Sequence, residues 1–448
     1  MTHDHVKAGL ERTRGRYAIR LLNPWTGCAL YLTSIALLLV SHMGHGWGFV
    51  DLKVYELSGA ATRAGGHLYA LRFPGALAFT YPPFAALLLA GVTLASNALL
   101  QLLFTGMSLA LLPFMLACAL KLDRRRSPAA RASSSAATRF AGAPSARSAE
   151  RGARLTCALV AAAAAIWLEP VWTTLRYGQI DLLIATLVVW DLSRPESARS
   201  KGLGIGLAVA LKLTPAIFIV YLFFTRRTRA AAVSLTTFAT SVAFAYVALP
   251  GDSREYWRGA FAEPSRVGRI ENAANQSLRG ALARVLHTTS VTHAWLVLAA
   301  VAGVVGLSLA VLAARKGQEA RGFALCALTA LLVSPISWSH HWVLAVPALL
   351  LLVLEAGRRN STAGLVTCAL VALVAYAHTI WWVPINHPPH SELHLDTLQL
   401  VFANAYVLGA LALLIGEAIR VLRAVDRRVS SSAAELALRP LRASQSSG

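Results

Sequence analysis

Residues 25–57 read WTGCALYLTSIALLLVSHMGHGWGFVDLKVYEL, and the change of pattern along this stretch decides the fold. From Trp25 to Gly46 there is no Asp, Glu, Lys or Arg, and a hydrocarbon core of ~30 Å takes roughly 20 apolar residues to cross. The run is too long for the apolar region of a signal peptide and lacks a clear cleavage site, so it reads as a retained helix. After Gly48 the pattern turns amphipathic, with Val50, Val54, Leu57 and Ala61 recurring at helical spacing. The pattern predicts a spanning helix followed by an interfacial helix along the membrane surface, with Asp51 in its first turn.

The rest of the chain repeats the first half of that pattern. Of 448 residues, 56% are hydrophobic and 14% charged, and the mean hydropathy is +0.55. An ordinary soluble globule is excluded. The fold class expected is an all-α polytopic membrane protein with about 11–12 transmembrane helices. The formal charge of +21 sits in short arginine clusters between apolar runs, which is the positive-inside pattern and reports topology. No nucleic-acid motif accompanies it, so no nucleic-acid partner is expected. Cys28, Cys118, Cys157, Cys326 and Cys368 lie in or beside apolar runs without CxxC spacing, indicating neither a disulfide framework nor a zinc site.

The charge clusters give an orientation. Residues 1–24, with Lys7, Arg12, Arg14, Arg16 and Arg20, form a cytoplasmic basic tail, which puts Asp51 on the outer side. The membrane domain then covers 25–420, with outer loops at 47–82 and 250–292 and a disordered basic cytoplasmic insert at 121–154. Residues 421–448 form a second cytoplasmic tail without fixed structure. The run Gly202–Phe224 begins and ends beside inner-side cations yet is only about one span long, so it is expected to be a bent hairpin broken at Lys212-Leu213-Thr214-Pro215. No inverted repeat is discernible, which weighs against secondary-transporter folds. Most histidines and tryptophans fall near the outer boundary, so the polar chemistry is expected on the external face.

Several residues invite a functional reading beside a plainer one. Asp51 is either the dipole partner of its helix N-terminus or a general base at the lipid–water boundary. Pro82-Pro83 is helix-start punctuation that also stiffens the lip of a groove, with Tyr81 lining it. Lys212, costing roughly 2.5 to 3.5 kcal/mol if centred in hydrocarbon, either pairs with Glu169 or Asp181 or faces a wet cavity and a substrate phosphate. Arg176, an outer-side cation near Gly178-Gln179-Ile180-Asp181, belongs to a solvated turn or meets a lipid phosphate. The arginines of 250–292 fit an anionic headgroup. In Ser334-Pro335-Ile336-Ser337-Trp338-Ser339-His340-His341, adjacent helical histidines diverge by about 100°, a poor metal pair. They form a headgroup-level patch or a hydrogen-bonding and proton-relay element.

Taken in order, these motifs resemble the polyprenol-phosphate-mannose-dependent α-1,2-mannosyltransferases of actinobacteria, glycosyltransferase family 87, with a GT-C membrane fold. The resemblance runs from Asp51 with Val54-Tyr55, through Tyr81-Pro82-Pro83, Ile166–Pro170, Gly178-Gln179-Ile180, Leu211–Pro215, Glu255-Tyr256-Trp257 and Asn275-Gln276, to Ser334–His341. It implies inverting transfer of mannose from a β-linked polyprenyl phosphate to a hydroxyl of a mannosylated glycolipid on the external leaflet. By this carry-over Asp51 is the catalytic base and the His340-His341 pair lines the donor and acceptor pocket, where the proton-relay reading makes both histidines catalytic as well. Tyr55, Tyr81, Arg176, Gln179, Lys212, Asn275, Gln276 and Trp338 line the substrate pocket. The implied partners are the lipid-linked donor, a glycolipid acceptor and the membrane. No cofactor and no metal are expected. The acceptor stays open between a phosphatidylinositol mannoside and the mannan of lipomannan or lipoarabinomannan, with a lean towards mannan branching. The competing readings are a transporter or flippase with Lys212 as its coupling charge, and a related enzyme transferring another sugar such as arabinofuranose.

Overall fold

The computed structural model describes residues 23–73, 77–123, 143–263 and 266–445. Every regular element among them is a helix; only two isolated bridges, Phe73 with Leu77 and Asn275 with Trp338, pair extended backbone. α1 (Pro24–His45) starts where the Asn23 side chain accepts from Thr26 N at 2.9 Å, a capping arrangement that satisfies a free backbone donor. α2 (Val50–Arg63) is the expected amphipathic helix, burying Leu52, Val54, Tyr55 and Ser58 while Val50 stays exposed.

Six helical stretches are long and apolar enough to cross a membrane. They are α1, α4 (Asn97–Asp123), α10 (Thr228–Ala248), α13 (Thr292–Arg315), the 3₁₀ turn Ser339–Leu344 continued by α15 (Ala345–Arg358), and the first part of α18 (Ala405–Gln445). A seventh is the pair α5 (Ala143–Ala165) and α6 (Glu169–Tyr177), bent by 77°. The remaining apolar runs fold into shorter pieces: α3 (Pro83–Val92), α7 (Asp181–Ser193), α8 (Leu203–Leu211), α9 (Ile217–Phe224), α14 (Glu319–Val333) and α16 (Thr362–Tyr376). The count of full-length spans is therefore lower than the tally of apolar runs, because prolines, glycines and polar residues cut several runs before they reach membrane length. α11 (Pro250–Arg258), α12 (Leu278–Val285) and α17 (Thr397–Ala403) belong to the loops above the bundle.

Two expectations of disorder are corrected. Residues 143–154 of the basic insert form the opening turns of α5, while 124–142 lie outside the described residues, as does the tail up to residue 22. The C-terminal segment, rich in alanine, leucine and arginine, carries α18 on to Gln445, as those helix-favouring residues permit.

With no hydrophobic drive between helices in lipid, close backbone approach and interhelical hydrogen bonds hold the bundle. Ser34 Oγ donates to Ala163 O at 2.8 Å and accepts from Trp167 Nε1 at 2.8 Å, fastening α1 to α5. On α8, a Cβ at Gly206 would lie 2.5 Å from Ser234 O of α10, so this crossing requires glycine. Val297, Val301 and Val304 of α13 stay exposed to the lipid side.

The Gly202–Phe224 run is the expected hairpin. Lys212 leaves the helix with extended backbone (φ −156°, ψ 128°), and the 3₁₀ turn Thr214–Ala216 leads into α9. Both ends return to one place: Ser234 Oγ donates to Gly202 O at 2.8 Å, and Arg229 donates to Glu196 O and Ala198 O. Around those ends runs a chain of ion pairs, Lys201–Glu196–Arg227–Glu319, followed by Arg321 with Glu355 and Glu417, and Arg358 with Asp123. The tip with Lys212 faces the opposite end of the molecule.

Candidate active site

Segments far apart in sequence meet at the hairpin tip. They enclose a cavity of about 330 Å³ lined by Asp51 and Tyr55 of α2, Tyr81, Tyr177, Gln179, Lys212, Asn272, Trp338, His340, His341 and Trp381. The turn between α6 and α7 sets the geometry. Gly178 closes α6 with φ 68°, and a Cβ there would lie 2.7 Å from Leu52 Cβ. Only glycine combines that backbone with that approach, and Phe49 N donates to Arg176 O at 3.1 Å beside it. α2 is thereby docked so that Asp51 looks onto Gln179.

Gln179 organises the near wall. Its Oε1 accepts from Tyr55 Oη at 2.6 Å and from Tyr81 Oη at 3.0 Å, the two phenols themselves lying 2.7 Å apart. With the carbonyl so occupied, the amide is left to donate to the half-buried Asp51 carboxylate, which it reaches. Burial pushes the Asp51 carboxyl up from 3.8 to about 6; the Gln179 hydrogen bond and Lys212 oppose the rise, and the Asp181 charge adds to it.

Lys212 forms the far wall. Its Nζ bonds Asp181 Oδ1 at 2.8 Å and His341 Nε2 at 2.8 Å, and sits 5.4 Å over the Tyr81 ring. An ammonium only donates, so His341 Nε2 accepts and the ring proton lies on Nδ1. Of the two partners the sequence offered for Lys212, the structure selects Asp181, while Glu169 is taken by Thr173, Trp381 and Tyr406. The ion pair and the cavity reading thus hold together. Asp181 Oδ2, His340 Nε2, His341 Nδ1 and Ser339 Oγ are buried without a hydrogen-bond partner, a costly state that a polar ligand would relieve.

Asp181, His340 and His341 also present ligand atoms within 4.8 Å of one another, a grouping able to hold a metal ion. The two imidazoles stand on the 3₁₀ turn Ser339–Leu344, edge to face, with ring centroids 4.8 Å apart. Two of these three ligands already bond the Lys212 ammonium.

Eight of the sequence-derived site residues line the cavity: Asp51, Tyr55, Tyr81, Gln179, Lys212, Trp338, His340 and His341. Three do not. Asn275 and Gln276 are fully buried behind it, their amides bonded to backbone: Asn275 to Ile270 O and Ser337 N, Gln276 to Ala273 O, Ala403 O and Tyr406 N. They fasten their loop to the extended backbone at Ser337 and Trp338 and to the junction of α17 and α18. Arg176 faces a neighbouring pocket. Conversely, Asn272, Tyr177 and Trp381 enter the cavity unannounced. Asn272 stands three residues before the Asn-Gln pair, so the loop was the right signal and its register was not readable.

A carboxylate facing a fixed ammonium across a cavity at one end of a multi-span bundle is an arrangement suited to transferring a group from a charged, lipid-borne donor. The chain belongs to glycosyltransferase family 87, whose family model matches residues 79–335. It is 32% identical over 393 residues, 83% of its length and 85% of the relative's, to the polyprenol-phosphate-mannose-dependent alpha-(1-2)-phosphatidylinositol mannoside mannosyltransferase of Mycobacterium tuberculosis. A polyprenol-phosphate-mannose-dependent alpha-(1-2)-phosphatidylinositol pentamannoside mannosyltransferase from the same species is 35% identical over 346 residues, covering 75% of this chain and 72% of the relative. A phosphatidylinositol mannoside mannosyltransferase of Mycolicibacterium smegmatis is 33% identical over 389 residues, 82% of each chain. A crystal structure of ArnT from Cupriavidus metallidurans bound to undecaprenyl phosphate overlays 87% of this chain and 71% of its own at a TM-score of 0.41 and 17% identity, a likeness too distant to carry an argument. The chain is thus a multi-pass membrane glycosyltransferase, which displaces the transporter reading.

Proposed function

We propose that this enzyme transfers mannose from β-linked polyprenyl-phosphate-mannose to a hydroxyl of a phosphatidylinositol mannoside, forming an α-1,2 linkage with inversion. The observation that carries the proposal is the opposition of Asp51 to the Lys212 cluster across one cavity, with unpartnered polar atoms gathered on the Lys212 side. Asp51 takes the proton of the acceptor hydroxyl as its oxygen attacks the anomeric carbon. The bond from that carbon to the phosphate oxygen breaks on the opposite face, and polyprenyl phosphate departs with the electron pair. Lys212 meets the charge that develops on the leaving phosphate, while His340, His341 and Ser339 supply hydrogen bonds. Attack opposite the leaving group turns a β donor into an α product. From Lys212 and His341 a narrow apolar cleft continues past Ile184, Val188 and Pro215, a path for the isoprenoid chain.

All the mannosyltransferases compared carry phosphatidylinositol mannosides or pentamannosides in their names, which favours that acceptor over a mannan backbone. The cavity lies at the end of the bundle opposite the ion-paired arginines, and the positive-inside tendency supports an external site with cytoplasmic termini. The Lys212 ammonium supplies the positive charge, so no divalent ion is required. The test is transfer by the purified chain in lipid nanodiscs, with labelled polyprenyl-phosphate-mannose and a phosphatidylinositol mannoside, followed by NMR of the product. An α-1,2-linked mannose is expected. No transfer, or a β-linked product, would refute the proposal.

A further inference from the structure

Beside the catalytic cavity lies a second pocket, of about 440 Å³, between α6 and the turn that follows α16. Its walls are Trp172, Arg176, Tyr177, His378, Trp381 and Trp382. Tyr177 and Trp381 line both this pocket and the Asp51 cavity, so the two spaces share a wall. Two sides of the pocket are built firmly. Trp381 Nε1 donates to the fully buried Glu169 at 3.0 Å, and Glu169 is held in turn by Thr173 Oγ1 at 2.7 Å and Tyr406 Oη at 2.9 Å. Trp172 stacks on Trp167 with centroids 5.7 Å apart and touches His378. Trp382, by contrast, is 58% exposed, and the exposed Arg176 has no carboxylate in ion-pair range among the described residues.

The layout of the catalytic cavity gives this pocket a direction. Lys212 and His341 open onto a narrow apolar cleft, which on the reading above takes the leaving lipid and so puts the donor at that end. A nucleophile attacking from the opposite face of the sugar must arrive from the Asp51 side, where Tyr177 and Trp381 form the boundary. Indole faces pack against the C–H surface of a pyranose, and an unpaired guanidinium at headgroup level accepts a phosphate as a bidentate partner.

We propose that this aromatic pocket is the acceptor subsite: a hexopyranose of the acceptor glycan stacks on Trp381 and Trp382 while Arg176 holds the acceptor's phosphate. The proposal rests on the transferase reading and adds where the acceptor's specificity is read. An aromatic belt at the membrane boundary would also place tryptophans here, and kinetics separates the two. With the full chain in nanodiscs, Trp382→Ala and Arg176→Gln should each raise the acceptor KM roughly tenfold, the order set by one aromatic or charged contact. The donor KM should stay within about twofold, and Trp382→Phe should recover most of the loss. Titration of the phosphatidylinositol mannoside alone should quench the tryptophan fluorescence of the wild type and not of Trp382→Ala. If the wild type transfers mannose and both variants keep the wild-type acceptor KM, the tryptophans are a belt only and the subsite is refuted while the transferase reading survives. If the wild type transfers nothing yet the quench appears and is lost in Trp382→Ala, the subsite stands and the reaction falls. Absence of any quench with the wild type refutes the subsite.

Discussion

On the proposed mechanism, Asp51 is held in a state that serves catalysis at the expense of stability. Burial raises its carboxyl to about 6, so the protonated form is the one the fold prefers. The stability this contributes is complete below the unfolded value of 3.8 and is lost as pH rises through about 6. The base is needed ionised, and the sign for activity is therefore the reverse. kcat/KM should rise with pH through about 6 and then level off, with about a tenth of the plateau at pH 5. A profile flat from pH 5 to 8 would contradict the assignment. Lys212 is predicted to act on the leaving group, so Lys212→Met should lower kcat by roughly 10² to 10³-fold. Because Lys212 already bonds Asp181 and His341, chelation with EDTA should leave the wild-type rate unchanged. Loss of rate on chelation, restored by a divalent ion, would instead make Asp181, His340 and His341 metal ligands.

At the scale of elements, the site depends on the α6–α7 turn and on the loop between α11 and α12, and these were unequally legible in the sequence. The interfacial helix with Asp51 and the break at Lys212 announce themselves, because a carboxylate in an amphipathic helix and a lysine beside proline in an apolar run each violate a local pattern. Asn275 and Gln276 also stand out as polar residues, yet their amides satisfy backbone in the interior, and polarity alone does not distinguish a ligand from a brace. Tyr177, Asn272 and Trp381 reach the cavity only through contacts between distant segments, which no local spacing encodes. Two substitutions check this division. Gln276→Ala should destabilise the fold by about 1–3 kcal/mol through its orphaned backbone partners, lowering the melting temperature while the properly folded fraction keeps its kcat. Gly178→Ala should also cost stability, because its backbone is left-handed and its Cβ would crowd Leu52, but unlike Gln276→Ala it should depress the kcat of the folded fraction by displacing α2; an unchanged kcat would show that Asp51 does not depend on this turn.

For the molecule as a whole, all-helical character and membrane embedding follow from hydropathy, while the number of full crossings does not, since an apolar run says nothing of where proline and glycine divide it. The charge asymmetry makes a topological prediction. Cysteine placed at the exposed Thr289, on the cavity side, should react with a membrane-impermeant maleimide in intact cells, and cysteine at the exposed Asn360, beside the ion-paired end, should not. Reversed labelling would put the site on the cytoplasmic face. The central claim is that one carboxylate meets the cationic anchor of a lipid-borne leaving group within a single cavity. Its most direct test is the turnover of Asp51→Asn, with polyprenyl-phosphate-mannose and a phosphatidylinositol mannoside both saturating, beside the wild type. The account predicts a fall of roughly 10² to 10⁴-fold in kcat with the melting temperature held or raised; wild-type turnover by the variant would contradict it.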